Sequence, residues 1–176
     1  SAIGEVKSSA VLGVILAIVV LFVFLRRMGT TLIVSLAIPI SIVATFNLMF
    51  FNGLSLNIMT LGGLALGAGM LVDNAIVVIE SIFRNQEKGL SIKEAAINGT
   101  AEVANAVIAS TLTTIVVFLP IVYLHGASGE LFKDQAWTVT FSLVSSLFVA
   151  ILVIPMLYIQ LSGKKIKLEE VKSIRI

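Results

Sequence analysis

LNIMTLGGLALGAGMLVDNAIVVI, residues 56–79, is an apolar run broken by a single charged group, Asp73. A stretch of this length predicts a helix able to cross a bilayer, which takes about 20 apolar residues. At the centre of such a helix an Asp costs about 2.5–3.5 kcal/mol on insertion scales. Leu in its place inserts better, so structure alone does not account for the acid. An intramembrane carboxylate is by default a functional group: a proton relay, an ion ligand or a counter-ion.

The composition agrees with a lipid solvent. The chain has 176 residues, 58% of them hydrophobic and 12% charged, with a mean hydropathy of +1.09. Soluble domains carry about 25% charged residues. Five stretches are long and apolar enough to span: residues 8–25, 31–51, 56–79, 103–124 and 136–161. The expected fold is therefore all-α, a polytopic membrane bundle of five transmembrane helices over residues 1–163. A charged tail, residues 164–176, follows it. There is no Cys and one His, His125, so neither a disulfide framework nor a metal site is expected. A net charge of +2, dispersed over short loops, leaves no footprint for nucleic acid.

Loop charges orient the spans. Arg26 and Arg27 follow the first; Arg84, Lys88 and Lys93 follow the third; Lys164, Lys165, Lys167, Lys172 and Arg175 follow the fifth. The connections at 52–55 and 125–135 hold only Lys133 between them. The positive-inside rule puts the basic connections and the tail in the cytoplasm and the N-terminus outside. The first span lacks a basic lead and is long for a signal h-region. Residues 1–5 (SAIGE) read as the interior of a longer membrane protein, with at least one span expected before them.

Within the third span Gly62, Ala65, Gly69 and Asp73 recur at helical spacing and share a face; Gly63 and Gly67 form a neighbouring small stripe. Small residues at that spacing let a partner helix approach to backbone contact. Such packing is expected to enclose Asp73 in protein. Asn74 can donate to a nearby carboxylate or backbone group, and Glu80 lies two turns beyond Asp73 near the inner boundary. Ser91 and Glu94 form a capping box, which starts an amphipathic helix leading into the fourth span. That span carries Asn105, Ser110, Thr111, Thr113 and Thr114. Their polar groups either bond their own helix or line a polar path beside the acid, with Asn105, Thr111 and Thr114 its candidate members. Pro39 marks a kink or hinge in the second span. The loop 126–129 turns tightly, and the fifth span closes near residues 155–158.

Residues 67–80 (GAGMLVDNAIVVIE) resemble the fourth transmembrane helix of the resistance–nodulation–division (RND) efflux pumps. The resemblance continues through residues 52–57 (NGLSLN), 89–95 (GLSIKEA), 118–120 (FLP) and 126–132 (GASGELF). It implies that the five spans are family helices two to six, half of a transmembrane domain of the multidrug type, similar also to the sterol-sensing bundle. It implies a bacterial inner membrane location and no chemical catalysis. Protons are then the coupling ion, with no other cofactor, and Asp73 carries them, with Asn74 and Glu80 beside it in the relay. Many multidrug members place a second Asp where this chain has Asn74. The implied partners are the lipid bilayer, a second half with the Lys that pairs with the acid, periplasmic porter domains, a homotrimer, and an adaptor with an outer-membrane channel in Gram-negative cells. The rival expectation is a non-transporting lipid-sensing or assembly module. Such a module has no need of a titrating acid at mid-depth.

Overall fold

The computed structural model describes residues 28–123 and 126–173. They form α1 (Met28–Phe51), α2 (Ile58–Glu87), α3 (Ile92–Val122), α4 (Ala127–Phe148), a π-helical turn (Val149–Val153) and α5 (Ile154–Ser173). Four continuous helices, 29–51, 58–87, 92–122 and 132–163, are long and apolar enough to cross a membrane. Four of the five expected spans are thus met as helices of an all-helical bundle. The first, residues 8–25, lies outside the described residues.

The termini of the helices follow from side-chain chemistry. Asn57 caps α2: its Oδ1 accepts from the Thr60 amide at 2.9 Å, and its own amide donates to Thr60 Oγ1 at 2.8 Å. The expected box at α3 forms as read. Glu94 N donates to Ser91 Oγ at 3.3 Å, and Ser91 N donates to Glu94 Oε2 at 3.1 Å. Each box satisfies amides that the first turn leaves without helical partners. From Ser91, α3 runs unbroken through the fourth span. Between α2 and α3 the chain reverses at Gly89, whose φ of 92° suits a residue without Cβ.

Two boundaries differ from expectation. The outer connection is shorter: Gly126, φ 97°, is the N-cap, and α4 already begins at Ala127. The helix of the fifth span passes through Pro155 and beyond the expected end at residue 161. A proline in a regular helix loses the bond to the carbonyl four residues back and clashes with it. Here the preceding turn is widened, the Ile154 amide donates to the Val149 carbonyl, and the helix continues to Ser173. The expected tail therefore begins as a helical extension of α5. Pro39 lies within α1, which stays helical from end to end.

The core is a shared seam. From α1, Ile33, Val34 and Ala37 point inward; from α2, Ala75, Val78, Ile79 and Ile82; from the turn and α5, Val149, Ala150 and Ile154. The central helix is α2, which packs against α1, α3, α4 and α5. It runs parallel to α4 and α5, since successive contacts pair Asn57 with Asp134, Gly63 with Thr138, Gly67 with Ser142, Asn74 with Ser146 and Gln86 with Tyr158.

Candidate functional site

Asp73 lies near the midpoint of the 30-residue α2 and is exposed. One residue on, the helix turns by about 100°, and Asn74 points into the bundle. Its Nδ2 donates to Thr111 Oγ1 on α3 at 3.3 Å and to Ser146 Oγ on α4 at 3.4 Å. Asn74 and Asp73 thus face apart. The amide is a three-helix junction, while the carboxylate stands on an open face.

That open face is the one read from the sequence. Gly62, Ala65, Gly69, Asp73 and Glu80 are all exposed. No described atom lies within 4 Å of where a Gly69 methyl would sit, and a Gly62 methyl would meet only the Gln135 side chain, at 4.0 Å. The expected enclosure of Asp73 is not formed by the described helices. Packing inside the chain uses the neighbouring stripe instead. A methyl on Gly63 would lie 3.0 Å from the Gln135 carbonyl oxygen, and one on Gly67 would overlap the Ser142 hydroxyl. On α3, Asn105, Ala109 and Leu112 are exposed as well. Among the described residues, none forms a side-chain hydrogen bond or ion pair with Asp73.

The other expected residues divide. Glu80 pairs with Arg84 one turn on, at 3.6 Å, with both side chains more than half exposed. An exposed pair of this kind contributes about 0.3–0.5 kcal/mol. Thr111 is buried against Asn74. Thr114 and Thr113 donate to the carbonyls of Ser110 and Ala109, the local pattern of membrane-helix hydroxyls. Asn105 stands on the exposed side of α3. Of the three polar-path candidates, Thr111 alone meets the Asp73–Asn74 pair.

Three features were not anticipated. The first is a run of buried hydroxyls on α4, Thr138, Ser142, Ser145 and Ser146, of which Thr138, Ser142 and Ser146 meet α2. Its spacing of four, three and one is legible as a helix face. The second joins α2 to α3: Glu102 accepts from Asn85 Nδ2 at 2.9 Å and from Ser81 Oγ at 3.4 Å. The third is the Tyr158 hydroxyl, which donates to Gln86 Oε1 between α5 and α2.

Such an arrangement defines a multi-pass helical membrane protein whose central helix carries a carboxylate near its midpoint, on an open face. The model of the AcrB/AcrD/AcrF family matches residues 1–171, and the chain belongs to that family. It is 38% identical over 157 residues to multidrug resistance protein MdtC of Pectobacterium atrosepticum, which covers 89% of this chain and 15% of the relative. Against MdtC of Escherichia coli O139:H28 it is 39% identical over 153 residues, 87% of this chain and 15% of the relative. Against MdtC of Photorhabdus laumondii the values are 38% over 157 residues, 89% and 15%. The chain spans about 15% of the length of these relatives. The resemblance to RND multidrug permeases is thereby established for almost all of the sequence.

Proposed function

We propose that the chain is a membrane half-bundle of a proton-coupled RND efflux transporter. It serves export of drugs or other amphiphilic small molecules by proton antiport. The observation that carries this reading is the position of Asp73: mid-helix, outward, on a face of small residues that no described helix covers. A bare carboxylate facing hydrocarbon is costly. A second helix group seated on Gly62, Ala65 and Gly69 removes that cost when it brings a cation. Protonation of Asp73 then frees the cation and lets the two groups shift, a local charge change acting on a bistable helix pair. No covalent chemistry is involved. Asn74 serves by holding α2 in rotation and does not itself carry a proton. Glu80, paired with Arg84, sits on the same face at the inner mouth.

The setting proposed is the bacterial inner membrane, with the second half and porter domains supplied by the longer protein. That protein works as a homotrimer, with an adaptor and an outer-membrane channel in Gram-negative cells. Support comes from the family membership and from relatives named for multidrug resistance.

The test is Asp73→Asn in the longer transporter, assayed as proton-driven export in vesicles. The amide keeps the shape, removes the titrating charge and is cheaper to hold in hydrocarbon. Export should be lost while abundance and insertion hold. Normal coupled export by this variant would show that Asp73 is not the carrier, and a lipid-sensing or assembly module would become the better reading.

A further inference from the structure

The inner end of α2, where the loop charges place the cytoplasm, is tied on two sides. Toward α3, Glu102 accepts from Asn85 at 2.9 Å and from Ser81 at 3.4 Å. Below that bond the backbones touch: a methyl on Gly99 would lie 2.5 Å from Ile82 Cα and 2.6 Å from its nitrogen. Toward α5, Tyr158 donates to Gln86. Asn85 and Ser81 are buried, and Asn85 Nδ2 also donates to the Ser81 carbonyl at 3.0 Å, so the donors are fixed before Glu102 meets them. Toward α3, the tie farther along α2 is looser. Asn74 meets Thr111 of α3 at 3.3 Å, while Gly63 and Gly67 hold α2 closely against α4.

A helix held to one neighbour firmly at one end and loosely farther along pivots on that neighbour about the held end, so α2, carried with α4, pivots on α3. We infer that Glu102 is a positioning residue whose bonds to Asn85 and Ser81, with the Gly99–Ile82 contact, make the inner ends of α2 and α3 a fulcrum. A displacement of α2 at Asp73 is then delivered toward the outer end rather than lost as slippage between the two helices. The inference rests on the transport reading above. It concerns a residue remote from Asp73: Ser81 is eight positions along the helix, about 12 Å at 1.5 Å per residue.

Glu102 acts as an acceptor, so shape matters more than charge. In the longer transporter, Glu102→Ala should lower kcat for export about tenfold with KM unchanged. Glu102→Gln keeps an acceptor oxygen for Asn85 and should restore kcat to within about twofold of the parent. Asn85→Asp sets a second carboxylate against Glu102 and should reproduce the Ala defect without altering position 102. Rates are normalised to inserted protein, so a variant that folds poorly is still compared per molecule. Asp73→Asn serves as the control for transport itself. The fulcrum is overturned if Glu102→Ala exports at the parental kcat while Asp73→Asn is inactive. It is equally overturned if Glu102→Gln is as slow as Glu102→Ala, or if the Ala defect appears in KM. Should Asp73→Asn stay active, the transport reading fails first, and the Glu102 results no longer bear on coupling.

Discussion

Two glycines of α2, two positions apart, have different environments, and the difference is measurable. The Gly67 backbone lies against Ser142, so a methyl there overlaps the serine side chain. Overpacking of that kind costs about 1–3 kcal/mol. Gly69 has nothing within 4 Å of the same position. In a helix, Ala is favoured over Gly by about 0.8–1.0 kcal/mol. Thermal unfolding of the chain in detergent should therefore show Gly67→Ala less stable and Gly69→Ala unchanged or more stable. In the longer transporter Gly69→Ala should reduce export, because its face is the proposed seat of the second helix group. Equal destabilisation by both substitutions would mean that the open face is closed within this chain. Asn74 teaches the same lesson at its own position. Its type and spacing announced a hydrogen-bonding group, but nothing in a single sequence said that Thr111 and Ser146 would meet it. Interhelical bonds in membranes contribute about 0.6 kcal/mol on average, so Asn74→Ala should cost about 1 kcal/mol in the same unfolding experiment.

The elements were legible where a local code exists. Ser91 and Glu94 predicted the start of α3, and the structure forms that box. The cap at Asn57 escaped because its reciprocal residue is Thr60, where the common box has Glu or Gln. The Gly62–Ala65–Gly69 stripe announced a contact face but not its partner, which no described helix provides. Pro155 lies inside the expected span 136–161, although a proline usually ends or kinks a helix. No sequence signal distinguishes a stop from a π turn that lets the helix pass. The wide turn at Val149–Val153 behaves as one residue inserted into a regular helix. Removing one residue there, with the proline constraint lifted, should restore a regular helix and keep Ser146 and Tyr158 in register. Deletion of Ile151 combined with Pro155→Ala should thus be far better tolerated than deletion of Val144 from the regular part of α4, which shifts the register of Ser146 on the α2 seam. Comparing the unfolding midpoints of the two deletions checks this. Similar losses would show that the π turn is not an insertion.

At the scale of the molecule, the parallel run of α2 with α4 and α5 fixes which connections share a side. Side-chain ties place Asn57 beside Asp134 at one end and Gln86 beside Tyr158 at the other. The turn at 52–55 and the connection before α4 therefore open on one surface, and the reversal at Gly89 on the opposite one. The structure gives this pairing without saying which surface is the cytoplasm. Charge does that: Arg84, Lys88 and Lys93 cluster at the Gly89 end, and the 52–55 turn has no base. By the positive-inside rule the Gly89 end is cytoplasmic. Single cysteines separate the two possibilities cleanly, because the chain has none of its own. Ser55 and Lys88 are both exposed, so neither substitution should disturb packing. In spheroplasts, Ser55→Cys should react with an impermeant maleimide, and Lys88→Cys should react only after permeabilisation. Asp73 lies between those two surfaces, so on the proposed reading a proton from outside would pass Ser55's end of α2 before it reaches the carboxylate, and would leave past Glu80 and Arg84. The reverse labelling pattern would invert that path, so that Glu80 faced the proton source and the proposed direction of coupling could not hold.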